Sequence, residues 1–125
     1  MTLIQPDWPA PANIHAYTTT RKIWGENNSN DADERAKLVS LLNLPSAPVW
    51  LKQTHSTIAL PATADNLNCE ADASFTNKRD AVCLVLTADC LPVLICNQQG
   101  TEVAAIHAGW RGLAAGVIES TIRSM

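Results

Sequence analysis

Three residues of types that bind metals or act as nucleophiles are spread along the chain: His55, Cys90 and His107. They are 35 and 17 residues apart, so they form no local metal-binding motif. Each lies at the end of a predicted strand, where loops gather and pockets form. Two imidazoles and one thiolate suit zinc, and three protein ligands leave a fourth position open, as is typical of catalytic zinc. A catalytic metal site is therefore one hypothesis.

The same residue types allow other interpretations. A single cysteine can be a small buried apolar residue, and a histidine at a strand end can be a hydrogen-bonded structural residue. Alternatively, Cys90 is a nucleophile and His107 is its base, which would give an amide or ester hydrolase. One thiolate cannot both ligate a metal and act as the nucleophile, so these hypotheses exclude each other. A multicopper cluster needs more imidazoles than the chain's three histidines provide.

The cysteine pattern indicates a reducing compartment. The four cysteines form no CxxC pair, and the N-terminal residues show no basic start, apolar stretch or cleavage site of a secretory signal. Reduced thiols are therefore expected, and the predicted location is the cytoplasm. Cys83 and Cys96 lie in apolar segments and are expected in the core, whereas Cys69 is expected in a loop.

Composition narrows the class of protein. A chain of 125 residues forms one domain at most, and 46% hydrophobic with 17% charged residues suits a packed globule. The net charge of −3 gives no basic face for phosphate backbones, so nucleic acid is an unfavourable partner. The longest apolar runs, such as residues 81–88, are far short of the roughly 20 residues that span a membrane.

Several elements must position these residues in the first half of the chain. Thr and Tyr predict a strand over residues 16–21. A helix capped by Asn30 or Asp31 should follow, with an acidic first turn and an end at Pro45. Strands are predicted over residues 48–53, running into His55, and over 58–60.

The second half combines strands with a final helix. The continuous apolar run over residues 81–87 predicts a strand that is covered on both faces. Residues 93–96 and 102–107 flank the turn Asn97–Gly100 and predict a hairpin. The final helix should carry one apolar stripe at three- and four-residue steps, formed by Leu113, Ala114, Val117, Ile118, Ile122 and Met125.

Four segments in this order resemble the YfiH family, also called laccase-domain or polyphenol oxidoreductase proteins: Pro48–His55, Ala71–Ser74, Thr87–Val93 and His107–Gly112. The resemblance extends over nearly the whole chain. It implies an α/β (α+β) fold in which mixed β-sheets are layered with helices, similar to the α/β/β/α fold of cysteine hydrolases. Family members are usually longer, so residues 1–125 are expected to form a single domain equivalent to the family's N-terminal half, with the fold incomplete.

This resemblance also implies a site and a set of reactions. His55, Cys90 and His107 would ligate zinc, with copper as the alternative metal. The family's activities are phosphorolysis of purine nucleosides and methylthioadenosine, adenosine deamination, polyphenol oxidation, and the editing of peptidoglycan precursors. The expected substrates are a purine nucleoside and phosphate. A non-catalytic metal-binding fragment or subunit is a further alternative.

Residues around the three candidate ligands receive roles in this hypothesis. Zinc-bound hydroxide would attack C6 of adenosine, or the pocket would position phosphate for attack on the ribose C1′. Asp89 could move protons and Arg111 could hold phosphate through a forked contact. Arg21 and Gln53 are the other substrate-binding candidates. Asp89 could equally be a turn residue, and Arg111 a surface cation.

An association is predicted from the final helix. If the second half of the fold is missing, its apolar stripe would be left bare, and contiguous patches of that kind usually mark an interface. The chain alone is therefore expected to be a weak catalyst or none, and to self-associate or to bind a partner that covers the missing half.

Overall fold

The computed structural model describes residues 3–20, 32–88 and 90–125. These ranges contain a mixed α/β structure, as predicted, with no helix long and apolar enough to cross a bilayer. The elements are β1 (Leu3–Ile4), β2 (Thr18–Thr19), α1 (Ala32–Leu41), β3 (Ala59–Pro61), a 3₁₀ turn (Ala64–Asn66), β4 (Ala73–Thr76), β5 (Leu91–Cys96), β6 (Val103–Ala108), α2 (Trp110–Ala115) and α3 (Val117–Ser124).

The described residues form two sheets. Strands β1 and β2 make an antiparallel pair, so residues 18–19 of the strand predicted over residues 16–21 are confirmed, and residue 21 lies outside the described residues. The larger sheet has the order β3-β4-β6-β5, in which β3 and β4 are parallel and β6 is antiparallel to both of its neighbours. The register pairs Ala73 with Ile106. Asp72, one residue before β4, consequently lies beside His107, and its backbone carbonyl accepts the backbone N–H of His107 at 2.7 Å.

The predicted hairpin is confirmed in β5 and β6. Gly100 has a φ of 72°, the left-handed region that the turn requires and that glycine adopts without penalty. The side-chain oxygen of Asn97 accepts the backbone N–H groups of Thr101 at 2.8 Å and Glu102 at 3.0 Å. The bonds that stabilise the turn are thus made within the turn itself. The turn can therefore be predicted from its local sequence.

Helix α1 is confirmed, although it ends earlier than predicted. The predicted capping residues lie outside the described residues. The helix stops at Leu41, ahead of Pro45, because Asn43 adopts a φ of 51°. The N–H of Leu44 then reaches back to the carbonyl of Val39 at 3.0 Å, the bond of a Schellman-type helix end.

Two strand predictions are wrong. Residues 48–53 and 81–87 run beside other segments but form only isolated bridges, Val49 with Cys83 and Lys52 with Glu70. The side chains of residues 81–86 are half-buried, so this run is not covered on both faces. Apolar composition indicated burial correctly for residues 48–50 but overstated it for residues 81–87, and a regular strand also needs a continuous neighbour to pair with.

Strand β4 lies inside the sheet, and the sequence analysis missed it. It begins with the small residues Ala73 and Ser74, and only Phe75 and Thr76 belong to the aromatic and β-branched types that usually signal a strand. Ala73 is fully buried and belongs to the core cluster with Ile106, Ala108 and Val117. The small side chains of this cluster let α3 pack closely on the sheet.

The predicted final helix is broken at Gly116, whose φ of 97° ends α2 before α3 begins. The buried face of α3 consists of Val117 and Thr121, and the hydroxyl of Thr121 is satisfied by the carbonyl of Val117 at 2.7 Å. Leu113 and Ile122 remain 40% and 56% exposed. The single apolar stripe predicted for this region is therefore wrong, because Val117 and Ile118 pack on the core whereas Leu113, Ala114 and Ile122 are exposed.

Candidate metal centre

The three residues singled out from the sequence converge. One potential ligand atom from each of His55, Cys90 and His107 lies within 4.8 Å of the others. The two imidazole rings meet edge to face, with centroids 5.1 Å apart. His107 is buried, Cys90 is half-buried and His55 is exposed, so the cluster opens from the sheet toward the surface.

His107 is fixed by the end of β6 and by Asp72. Its ring Nδ1 lies 2.7 Å from Oδ2 of Asp72, and an ionised carboxylate can only accept, so Nδ1 carries the proton. The other ring nitrogen, Nε2, is then the one available to a metal or a substrate. A carboxylate behind a histidine is the usual partner that sets the orientation of a metal-binding imidazole.

His55 is presented by a turn that the same carboxylate organises. The φ of His55 is 63°, a left-handed conformation that is uncommon for a residue with a side chain. The backbone N–H groups of Thr54, His55 and Ser56 donate to Asp72 at 3.1, 3.0 and 2.7 Å. The hydroxyl of Ser56 adds a fourth bond from this turn at 2.7 Å. These bonds hold an otherwise unfavourable backbone conformation in place.

Asp72 stays ionised although it is fully buried. Burial alone would raise the pKa of its carboxyl, but hydrogen bonds from His107, Ser56 and Thr54 outweigh that effect and hold the pKa below its usual value. Asp72 was not among the predicted site residues, although it lies in the segment Ala71–Ser74, one of the four that resemble the family. An acidic residue between alanines, directly before a buried strand, was the signal that could have found it.

Cys90 reaches the cluster because residue 109 has no side chain. A Cβ atom on Gly109 would lie 2.9 Å from Sγ of Cys90 and 3.5 Å from Cδ2 of His55. The φ of Gly109 is an ordinary −78°, so glycine is needed here for space rather than for its backbone freedom. The loop before α2 thus forms one wall of the cluster.

Both polar atoms of the Gln53 amide form hydrogen bonds with Leu86, a residue of the segment that leads to Cys90. Its Nε2 donates to the carbonyl of Leu86 at 2.7 Å, and its Oε1 accepts the N–H of Leu86 at 2.8 Å. This two-point contact anchors the segment. The substrate-binding role predicted for Gln53 stays a prediction, and it would require the amide to leave Leu86.

The remaining candidate residues are less closely tied to the cluster. Arg111 is exposed at the start of α2, with its guanidinium carbon 5.2 Å from the ring centroid of Trp110, within the range of a cation–π contact. Asp89 and Arg21 lie outside the described residues, so their predicted roles stay predictions. His15 lines a separate cavity of about 260 Å³ near the N-terminus.

The donor set fits a metal ion of borderline softness. Small side-chain rotations would bring two nitrogens and one sulfur into a single coordination sphere, and such a set suits zinc. Among the described residues no second cluster of this kind is found. A multicopper centre would need imidazoles that this cluster does not have.

The chain is similar in sequence to a known protein family and to several bacterial enzymes. Residues 17–125 match the family described as multi-copper polyphenol oxidoreductase laccase. The chain is 47% identical to a purine nucleoside phosphorylase of Haemophilus influenzae, covering 98% of this chain and 57% of that protein. It is 45% identical to the purine nucleoside phosphorylase YfiH of Escherichia coli, covering 96% and 56%.

A solved structure shows the same fold. The crystal structure of a Neisseria meningitidis protein superposes with a TM-score of 0.85 at 39% identity, covering 100% of this chain and 57% of that one. The chain thus spans little more than half the length of the relatives that it matches.

Proposed function

We propose, from the premise that this chain belongs to the YfiH (laccase-domain) family, that it carries the zinc centre of a purine nucleoside phosphorylase. One observation supports this most: His55, Cys90 and His107 converge in a chain that is 45–47% identical to proteins of that name. The cluster opens to the surface at the exposed His55, which is where a small-molecule substrate could enter. The expected substrates are a purine nucleoside and phosphate.

Zinc is preferred to copper on chemical grounds. Two imidazoles and one thiolate with an open fourth position are typical of catalytic zinc. Laccase chemistry needs several copper ions, and His15 lies apart from the cluster. A copper polyphenol oxidase is therefore the less favoured function, although the family is described as a multi-copper laccase.

The chain's own groups would divide the work as follows. A bound zinc ion would supply Lewis acidity at the open position. Arg111 would hold a phosphate oxygen pair through its forked N–H groups, and Asp89 would move a proton to or from the purine. Arg21 and Gln53 would bind the nucleoside. Adenosine deamination is the related reaction that the same centre could perform. In that reaction water would attack C6 of the purine and ammonia would leave, whereas in phosphorolysis phosphate would attack C1′ and the purine base would leave.

A second function, cysteine hydrolysis, has one observation in its favour. Asp72 orients His107, and His107 lies near Cys90, which is the arrangement of a nucleophile, a base and an orienting carboxylate. In that case Cys90 would attack an amide carbonyl, as in peptidoglycan-precursor editing. The presence of bound metal separates the two functions because a ligating thiolate is not free to attack.

Metal analysis combined with activity assays tests the proposal. The purified protein should contain zinc in a 1:1 ratio and cleave inosine only when phosphate is present. Cys90→Ser should lose both properties. Cys69→Ser, a change of the same type in a loop outside the cluster, should keep them. Zinc without turnover would identify a metal-binding subunit, and inosine cleavage that survives in Cys90→Ser would overturn the proposal.

Thiol labelling separates the metal centre from the hydrolase. If Cys90 ligates zinc, its alkylation should be slow in the loaded protein and become fast after chelation. Fast labelling that is independent of the chelator would favour the hydrolase. Cys83 and Cys96 should react only after unfolding. All four cysteines are free thiols in the structure, which also supports the proposed cytoplasmic location.

A partner surface is proposed beside the cluster. Trp110 is 75% exposed, and Leu91, Leu113 and Ile122 are 61%, 40% and 56% exposed. Because the matched relatives are longer, we assign this face to the polypeptide that they have beyond the matched part, and residues 1–125 to one domain of that assembly. Light scattering of this chain alone should show self-association, which a Trp110→Ser variant reduces. A monomer at high concentration with full turnover would contradict this assignment.

A further inference from the structure

One buried carboxylate contacts both histidine-bearing segments of the cluster. Oδ2 of Asp72 accepts the Nδ1–H of His107 at 2.7 Å and the backbone N–H of His55 at 3.0 Å. Oδ1 accepts the N–H of Thr54 at 3.1 Å, and both the N–H and the hydroxyl of Ser56 at 2.7 Å. Five donors from two segments that are far apart in the sequence therefore meet on one side chain.

These contacts control different properties of the two imidazoles. The bond to His107 fixes the tautomer and the ring orientation, so that Nε2 faces the cluster. The bonds to Thr54, His55 and Ser56 fix the backbone of a turn in which His55 adopts a φ of 63°. Neither His55 nor His107 would hold its position if the carboxylate were removed.

We infer that Asp72 is a positioning residue that sets the metal affinity of the centre by holding both imidazoles at once. The inference rests on the proposed metal centre. It depends on Asp72 being an acceptor at both oxygens, which a neutral amide cannot be. In Asp72→Asn the side-chain NH₂ would face N–H groups, so at least one of the two segments would lose its partner.

Metal affinity is the first test, with Asp72→Asn compared with Asp65→Asn. Asp65 is exposed in the 3₁₀ turn and lies outside the cluster, so it provides the same chemical change as a control. Zinc binding, measured by competition with a chromophoric chelator, should weaken by about 10- to 100-fold in Asp72→Asn, the usual effect of losing such a partner. Asp65→Asn should bind within about twofold of the wild type, because it touches neither imidazole.

Two measurements on the metal-free protein keep this test separate from that of the proposed function. Nitrogen-15 NMR of the wild type should show His107 as the Nδ1–H tautomer, whether or not any variant folds. Amide exchange at Thr54, His55 and Ser56 should accelerate in Asp72→Asn and not in Asp65→Asn.

The outcomes distinguish the two claims. If the wild type binds no zinc, the proposed metal centre is wrong. The tautomer of His107 and the amide exchange rates at Thr54, His55 and Ser56 would still show whether Asp72 positions the imidazoles. An Nε2–H tautomer, or an Asp72→Asn protein that folds and binds zinc as tightly as the wild type, overturns the positioning role.

Discussion

The two sides of the cluster are built differently. On the histidine side, comprising residues 54–56, Asp72 and His107, five hydrogen bonds converge on one buried charge. On the cysteine side, the described residues of segment 81–90 form no strand. That segment is held by the bridge from Cys83 to Val49 and by the clamp of Gln53 on Leu86.

The difference shows two ways of positioning a reactive side chain. The histidine side relies on directional bonds in a buried place, where a missing partner is costly. The cysteine side relies on packing and on clearance, since Sγ of Cys90 lies where a Cβ on Gly109 would collide with it. Substitutions should therefore reduce stability most on the histidine side and change the position of the thiol on the cysteine side.

The largest expected effect comes from His107→Ala compared with His55→Ala in metal-free protein. His107→Ala leaves buried Asp72 with one donor fewer and a cavity beside it, which should lower the free energy of unfolding by about 2–4 kcal/mol. The side chain of His55 is exposed, so His55→Ala should change the free energy of unfolding by less than about 0.5 kcal/mol. Urea denaturation with chelator present measures both values. Equal losses would mean that the two histidines are held alike.

Alkaline pH should weaken the cysteine side through Cys83. Burial raises the pKa of this thiol from 9.0 to about 11. The unfolded chain therefore loses this proton first. Its contribution to stability is complete below pH 9 and falls by up to about 1.4 kcal/mol per pH unit between pH 9 and 11.

The control for this pH effect is a pair of alanine variants. Denaturation of Cys83→Ala should show a flatter decline with pH than the wild type, while Cys69→Ala should follow the wild type. A Cys83→Ala curve parallel to the wild type would show that other groups cause the decline.

Gln53→Ala should release the segment that leads to Cys90. It leaves the N–H and the carbonyl of Leu86 without their partner, which should cost about 2 kcal/mol of unfolding free energy. Gln98→Ala, in the exposed hairpin turn, should stay within about 0.5 kcal/mol of the wild type. If Gln53→Ala were as stable as Gln98→Ala, the contact between Gln53 and Leu86 would not stabilise the cysteine side.

Gly109→Ala should act on the thiol more than on the fold. The new methyl group would push Sγ of Cys90 away, and zinc affinity should fall about tenfold, which corresponds to about 1.4 kcal/mol. Gly112→Ala provides the same change where the nearest atoms are Cγ1 and Cβ of Val117 at 3.3 and 3.7 Å and the backbone carbonyl of His107 at 3.8 Å, so no ligand side chain is among them. Isothermal titration should show wild-type zinc affinity in Gly112→Ala. An unchanged affinity in Gly109→Ala would show that the loop before α2 can move to make room for the methyl group.

Local signals explain what the sequence could predict. The hairpin and α1 depend on Asn97, Gly100 and an acidic helix start, which act over a few residues. The three candidate ligands were found because their types are distinctive and each lies at the end of an apolar segment. These features can be read without knowing what packs against them.

Other features depend on partners that are distant in the sequence. Residues 81–87 look like a strand, but no neighbouring strand pairs with them continuously. Strand β4 is only four residues long and gives a weak local signal, and it is fixed by β3 and β6 on its two sides. Asp72 is important only because His107 and the turn at His55 meet there, 35 and 17 residues away. Gly116 was visible in the sequence, and its helix-breaking role was overlooked.

The pairing of Ala73 with Ile106 has a consequence for folding. A slip of β4 against β6 by one residue would turn every side chain of one strand to the opposite face of the sheet. His107 would then point away from the cluster, and Asp72 would be buried without its imidazole. A misregistered sheet is thus penalised by an uncompensated buried charge as well as by poor packing. The carboxylate that arranges the histidines therefore also acts as a check on correct strand alignment while the chain folds.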